Sequence, residues 1–102
     1  MESLIEEKRG FLADLCNKYY VRRLDVFGSA SEGDFNESSD IDLLVEFDDG
    51  VGERRFDNYF GLLGELTKLF GRRVDLVEPG GLRNPYFIKR VNQTRRSVYV
   101  AS

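Results

Sequence analysis

The sequence predicts an α+β (α/β) fold: one small mixed β-sheet packed with helices. Three observations support this prediction. Apolar residues recur with strand and helix periods in turn, glycine, proline and asparagine mark the boundaries, and the first two strands are joined by a short connection. Because parallel neighbours need a long crossover, that connection favours a mixed sheet over a purely parallel one. The chain of 102 residues is long enough for one compact domain, so residues 1–102 are predicted to form a single domain.

The first predicted helix covers residues 3–19, and the first strand covers residues 22–27. The apolar positions of the helix are Leu4, Ile5, Phe11, Leu12, Leu15, Cys16 and Tyr19. Cys16 lies on this stripe and is predicted to be a small core residue. Asp25 lies in the strand but outside any motif, so a surface or salt-bridged role is expected for it. Residues 30–39 are small, polar and acidic, as in a short helical turn and loop.

The second strand is predicted at residues 41–47 and the second helix at residues 53–70. One face of the strand is apolar, with Ile41, Leu43, Val45 and Phe47, and the other carries Asp40, Asp42, Leu44 and Glu46. The helix is expected to bury a stripe formed by Phe56, Tyr59, Phe60, Leu63, Leu66 and Phe70. Gly71 follows at the C-cap position.

The third strand is predicted at residues 73–77, and Pro79-Gly80-Gly81 ends it. A third helix begins near Asn84-Pro85, since asparagine is a good cap and proline suits the first helical position. Ile88 and Val91 are expected to face inward. Residues 97–101 could form a short final strand.

Composition excludes several classes of function. The net charge of −3 and the pI of about 5.0 argue against strong nucleic-acid binding, which needs a basic face. Histidine is absent, so histidine bases and histidine-ligated zinc are excluded, and a carboxylate is the expected proton acceptor. One cysteine, no apolar run of membrane-spanning length and an acidic amino terminus together predict a cytoplasmic protein that does not contact the membrane.

The main candidate site begins with two aspartates. Asp40 and Asp42 lie two residues apart at the start of a strand, so their side chains point to the same side of the sheet. Two neighbouring anions repel unless a cation lies between them, and carboxylate oxygens suit Mg²⁺. Gly28-Ser29 ends the preceding strand and offers a turn where backbone N–H groups and a hydroxyl can meet a phosphate. The sequence therefore predicts a metal–nucleotide site.

Asp75 adds a third carboxylate, because its side chain opposes the apolar Val74 and Leu76. If the third strand lies beside the second, Asp75 can join Asp40 and Asp42 in a site for two metal ions and phosphoryl transfer. In this hypothesis Asp40, Asp42 and Asp75 bind the metal, and Asp75 also accepts the proton of an attacking hydroxyl. Gly28 and Ser29 would grip the phosphates that leave as pyrophosphate.

These residues give the chain a recognisable pattern. Gly28-Ser29, a gap of ten residues, Asp40-Ile41-Asp42 and a flanked Asp75 resemble the DNA polymerase β-like nucleotidyltransferase superfamily. The run at residues 39–47 and the segment at residues 81–86 are similar to its minimal branch, the prokaryotic MNT proteins. The resemblance covers nearly the whole chain and implies a domain of the nucleotidyltransferase type.

The resemblance also implies a reaction and a partner. MNT proteins are commonly encoded beside a HEPN protein, which in characterised pairs is a toxic RNase. The MNT member acts as antitoxin by transferring AMP from ATP to a tyrosine of that toxin. By this analogy the cofactor is Mg²⁺, in two copies, the donor is ATP and the acceptor belongs to a HEPN partner.

One departure from the minimal branch keeps a second interpretation open. Ala30-Ser31-Glu32-Gly33 stands where the branch commonly has a small residue and then Ala-Arg-Gly, so Glu32 replaces an arginine near the phosphates. A weakened nucleotide site would favour an antitoxin that neutralises its partner by binding alone. A third option is transfer to a small molecule such as an aminoglycoside, although such enzymes usually carry a further acceptor domain.

Overall fold

The computed structural model describes residues 2–28, 40–81 and 83–101. The seven main elements occur in the predicted order. They are helix α1 (Glu2–Lys18), strand β1 (Val21–Phe27), strand β2 (Ile41–Phe47), helix α2 (Arg55–Phe70), strand β3 (Val74–Val77), helix α3 (Pro85–Thr94) and strand β4 (Arg96–Val100). Short 3-10 helices precede α2 at Asp49–Arg54 and follow β3 at Pro79–Gly81. Within the described part of the chain, no helix is long and apolar enough to cross a membrane.

The four strands form one sheet in the order β3-β2-β1-β4. β1 is antiparallel to both of its neighbours, and β2 is parallel to β3. The prediction of a mixed sheet is therefore confirmed. The parallel pair has α2 as its crossover, which is the long connection that parallel neighbours need.

α1 and α2 cover one face of the sheet. The buried core on this face includes Ile5, Leu12, Cys16, Leu24, Val26, Ile41, Leu43, Val45, Leu62, Leu66, Phe70, Val74 and Leu76. Cys16 is fully buried, and desolvation raises the pKa of its thiol to about 12. The thiol is therefore unreactive at neutral pH, as expected of a core residue.

The predicted apolar stripes of the helices were partly wrong. Phe11 is 64% exposed on α1, and Phe56 and Phe60 are 76% and 54% exposed on α2. Successive helical residues turn by about 100°, so Phe56 and Phe60, two positions from Asn58, point away from the core, and Phe11, one position before Leu12, points to the side. The stripe of α2 is made of Asn58, Leu62, Leu66 and Phe70. The Asn58 amide is tolerated there because it donates to the carbonyl oxygen of Tyr19.

α3 covers the other face with a smaller core of Phe27, Leu44 and Val91, against which Val77 packs. Asn84 caps this helix as predicted, since its Oδ1 accepts a hydrogen bond from the Tyr86 N–H at 2.9 Å. Val91 is buried and Ile88 half-buried. Gly71 ends α2 in the left-handed conformation with a φ of 65°, which also agrees with the prediction.

A buried ion pair attaches the start of β4 to β1. Asp25 is fully buried and accepts hydrogen bonds from the Arg95 guanidinium, whose Nε lies 2.8 Å from Oδ2. Arg23 Nε lies 3.3 Å from Oδ1 of the same carboxylate. The expected salt-bridged role of Asp25 is confirmed, and its two partners neutralise a charge that would otherwise be costly to bury.

Candidate active site

The carboxylates of Asp42 and Asp75 belong to directly paired positions on parallel strands. Asp42 pairs with Asp75 in the register of β2 and β3, and each side chain points to the α3 side of the sheet. Asp40 immediately precedes β2, whose first residue Ile41 donates its N–H to the Arg73 carbonyl at 3.0 Å. Asp75 was expected to join Asp40 and Asp42 if the third strand lies beside the second, and in the structure it does.

Asp42 is the electrostatically strained member of this group. Desolvation by burial raises the pKa of Asp42 to about 6, and the neighbouring carboxylates of Asp75 and Asp40 add to the rise. The Arg90 guanidinium acts in the opposite direction on the same pKa. Arg73 immediately precedes β3, and its Nε lies 4.0 Å from an Asp40 oxygen and 3.9 Å from an Asp75 oxygen. Positive charge is therefore favoured at this end of the sheet.

Gly28 lies against Asp42. It follows Phe27, the residue of β1 that pairs with Asp42, and its φ is +69°. A Cβ at this position would lie 2.8 Å from Asp42 Oδ2, so only glycine leaves the carboxylate in place. The Gly28 N–H donates to Thr94 Oγ1 at 3.0 Å, a contact that sequence reasoning did not predict. Ser29 and Glu32 lie outside the described residues.

A cavity of about 290 Å³ opens beside the two aspartates. Its lining consists of Phe27, Asp42, Tyr59, Leu63, Val74, Asp75, Leu76, Val77 and Phe87. The Phe27 and Phe87 rings meet edge to face at 5.8 Å, and the Tyr59 hydroxyl donates to the Leu76 carbonyl oxygen. The cavity thus combines apolar walls with two carboxylates, a combination that suits a ligand with both a flat apolar part and a charged part.

A comparison with sequence models of protein families identifies the family of this chain. Residues 8–98 match the sequence model of the nucleotidyltransferase domain. The chain belongs to the nucleotidyltransferase family. The match covers all four strands of the sheet except the end of β4, and it contains both strands that carry the aspartate pair. This nucleotidyltransferase is therefore a transferase enzyme.

Two relatives indicate to which branch of the family the chain belongs. The nucleotidyltransferase is 37% identical over 71 residues to protein adenylyltransferase MntA of Thermococcus cleftensis, with 70% of this chain and 69% of the relative covered. It is 38% identical over 79 residues to a candidate protein adenylyltransferase of Methanocaldococcus jannaschii, with 78% of each chain covered. These similarities bear out the MNT resemblance found in the sequence.

Solved structures agree with this fold. A candidate minimal nucleotidyltransferase superposes with a TM-score of 0.72 at 34% identity, covering 89% of each chain. The MNT antitoxin complex with the tri-AMPylated HEPN toxin of Shewanella oneidensis gives a TM-score of 0.64 at 17% identity, covering 95% of this chain and 73% of the other. The second likeness is one of fold alone. Together they confirm the predicted α+β architecture.

Several residues of the site were missed by sequence reasoning. Arg73 lies two residues before Asp75, so the period of a strand already placed the two side chains on one face. Arg90, Thr94 and Phe87 come from α3, and only the packing of that helix against β1 brings them near Asp42 and Gly28.

The donor atoms fit a magnesium ion held mainly by the aspartate pair. Among residues 2–28, 40–81 and 83–101, no three acidic or thiol side chains are spaced as a preformed metal site. Mg²⁺ does not need one, since it commonly takes one or two carboxylates and completes its shell with water and phosphate. Asp42 and Asp75 supply such a pair, because they occupy paired positions of β2 and β3 on the same side of the sheet.

The raised pKa of Asp42 predicts a pH-dependent stability. Between about pH 4 and pH 6 the folded chain binds more protons at Asp42 than the unfolded chain does, so stability falls as pH rises through this window. After allowance for solvent screening, the loss is expected to be about 1 kcal/mol. Urea unfolding in the presence of EDTA, at pH 4.5 and at pH 7.5, measures this loss of folding stability.

Asp42→Asn removes the titrating group and provides the control for this experiment. The variant is expected to be more stable than the wild type at pH 7.5 and to approach it at pH 4.5. A stability difference that is the same at both pH values would contradict the prediction, because the free energy would then not come from titration of Asp42.

Proposed function

We propose that this nucleotidyltransferase transfers AMP from ATP to a tyrosine hydroxyl of a HEPN-type partner protein and thereby acts as its antitoxin. The observation that carries the proposal is the pairing of Asp42 with Asp75 beside Gly28. The similarity to protein adenylyltransferase MntA supports AMP as the transferred group. The shared fold of an MNT antitoxin that is complexed with an AMPylated HEPN toxin supports the choice of partner.

The proposed roles follow from the positions of the side chains. Asp40, Asp42 and Asp75 would hold Mg²⁺, in one or two copies, which when bound supplies charge neutralisation at the phosphates. The Gly28-Ser29 pattern of the sequence supports a role for these two residues in gripping the β- and γ-phosphates. Asp75 would accept the proton as the acceptor oxygen bonds to the α-phosphorus and the bond to pyrophosphate breaks. The Phe27 and Phe87 rings line the cavity in which the nucleotide would lie.

Exposed aromatic side chains near the cavity support a protein acceptor. Phe56 and Phe60 lie with their ring centres 5.3 Å apart, and Phe60 meets Tyr59 edge to face at 5.1 Å. Tyr59 also lines the cavity that contains Asp42 and Asp75. Large aromatic groups left in water next to a reaction site are typical of protein-binding surfaces. A small acceptor molecule would not need this surface.

The direct test is mass spectrometry of the HEPN protein after co-expression with this chain. We expect a mass increase of one or more AMP groups on tyrosine, and no such increase when the chain carries Asp42→Asn. Glu46→Gln serves as the matched control, because Glu46 lies on the same face of β2 but pairs with Arg22 at 3.6 Å. An unmodified HEPN protein in the presence of wild type would contradict the proposal.

Binding alone is the second candidate, favoured by Glu32 in place of the usual arginine. In that case Asp42→Asn would still neutralise the partner although no AMP is transferred. Growth rescue by the variant, measured together with the mass of the HEPN protein, separates the two functions. Rescue that is lost together with the modification favours catalysis.

The aromatic surface gives a further prediction. Replacing Phe56 and Phe60 together by serine is expected to lower the rate of transfer to the protein acceptor about tenfold, because aromatic contacts carry much of the free energy of an interface. The KM for ATP should stay unchanged. Phe11→Ser is the control, since Phe11 is also exposed but lines a hollow between α1 and α2. Equal losses in both variants would contradict a specific surface.

A further inference from the structure

The Thr94 hydroxyl links the end of α3 to Gly28, the residue that follows β1. Oγ1 donates to the Arg90 carbonyl oxygen at 2.8 Å within the helix. The same oxygen accepts the Gly28 N–H at 3.0 Å, across 66 positions of sequence. The hydroxyl donates its hydrogen to a carbonyl oxygen of the helix. Its lone pairs therefore accept hydrogen bonds, and one of these comes from the Gly28 N–H.

The next residue strengthens this attachment. Arg95 binds the buried carboxylate of Asp25, which lies three residues before Gly28 in the same chain segment. Two consecutive residues at the end of α3 therefore hold β1 and the residue that follows it. The first attachment is an ion pair inside the fold, and the second is a single hydrogen bond at the rim of the site.

The backbone of Gly28 lies very close to the Asp42 carboxylate. Its φ is +69°, and the space where a Cβ would lie is only 2.8 Å from Asp42 Oδ2. A small rotation of the Gly28 peptide would shift this backbone relative to the Asp42 carboxylate. Small displacements of a positioned group can cost large factors in rate or affinity.

We propose that Thr94 is a positioning residue of the transferase, which holds Gly28 against Asp42 so that the phosphates of Mg-ATP can bind beside these two residues. This inference rests on the proposed function, because it takes Gly28 as part of the phosphate site. Thr94 does not contact the substrate in this proposal. It acts through the Gly28 N–H.

The test compares Thr94→Val with Thr94→Ser. Valine keeps the shape of threonine but lacks the hydroxyl, whereas serine keeps it. We expect the Kd for Mg-ATP, measured by calorimetry, to rise about five- to tenfold in Thr94→Val and to return to within about twofold of wild type in Thr94→Ser. Hydrogen exchange of the Gly28 amide should accelerate in the valine variant alone.

Thr67→Val is the matched control. Thr67 is also a helical threonine that donates its hydroxyl to the carbonyl oxygen four residues earlier, at 2.8 Å, but it lies near the end of α2. Its replacement removes the same hydrogen bond within a helix, and we expect no change in the Kd for Mg-ATP. The Kd therefore separates positioning from a general structural role.

Three results would overturn the inference: wild-type affinity in Thr94→Val, a serine variant as weak as the valine variant, or an equal loss in Thr67→Val. The binding measurement does not involve the acceptor. A wild-type chain that binds Mg-ATP but leaves the HEPN protein unmodified would therefore contradict only the proposed function. A wild-type chain that does not bind Mg-ATP would contradict both proposals.

Discussion

Asp42→Asn is expected to lower the rate of AMP transfer at least about a thousandfold, and this is the largest effect that the structure predicts. The amide keeps the shape of the carboxylate but removes the negative charge from the side chain that lies deepest against Gly28 and Asp75. A lost metal ligand and lost electrostatic stabilisation of the transferring phosphoryl group each cost factors of this size. Single-turnover transfer of labelled AMP at saturating ATP measures it.

We expect the fold to tolerate Asp42→Asn, so a lower transfer rate would report on the chemistry and not on unfolding. Burial and neighbouring carboxylates already raise the pKa of Asp42, so removing its charge relieves repulsion. We therefore expect the variant to be at least as stable as the wild type at pH 7.5. Glu46→Gln, four residues along the same strand face, should keep the wild-type rate. Transfer by Asp42→Asn within tenfold of wild type would exclude Asp42 from the chemistry.

Gly28→Ala is expected to have the second largest effect, a loss of about a hundredfold in the transfer rate. Alanine at a φ of +69° is strained, and its methyl group would lie 2.8 Å from Asp42 Oδ2. Either the carboxylate or the peptide must move, and both belong to the proposed site. The measurements are the single-turnover rate and the Kd for Mg-ATP.

Gly71→Ala is the matched control for backbone strain. Gly71 has a φ of +65°, close to that of Gly28, but a Cβ there would meet nothing within 4 Å. Both alanine variants should therefore lose about 1 kcal/mol or somewhat more of folding stability. Only Gly28→Ala should lose activity. If the two variants are equally active, the close approach of Gly28 to Asp42 does not matter for function.

The comparison of sequence and structure is informative at α2. The sequence places a helix there correctly, because its apolar content and Gly71 leave few alternatives. It also places Phe56 and Phe60 in the core, and this is wrong. A helix with apolar groups on more than one side has two possible inward faces, and the sheet selects the face with Leu62 and Leu66. The rejected face then becomes the exposed aromatic surface.

The residues of the candidate site also divide into those that local sequence patterns reveal and those that the tertiary structure places. Asp40 and Asp42 share a strand face through the local period of two, and Gly28 is required by a local turn, so the sequence alone identifies them. Asp75, Arg90 and Thr94 are distant in sequence from Asp42. Their places depend on the pairing of β3 with β2 and on the docking of α3.

By itself, the sequence determined the order of the elements, the α+β class, the family and the acidic motif, because each of these depends on short-range spacing and residue type. The tertiary structure decided which carboxylate lies beside Asp42, which face of α2 meets solvent, and that the Gly28 N–H binds Thr94. Those features depend on strand register and helix docking, which come from the packing of the whole core.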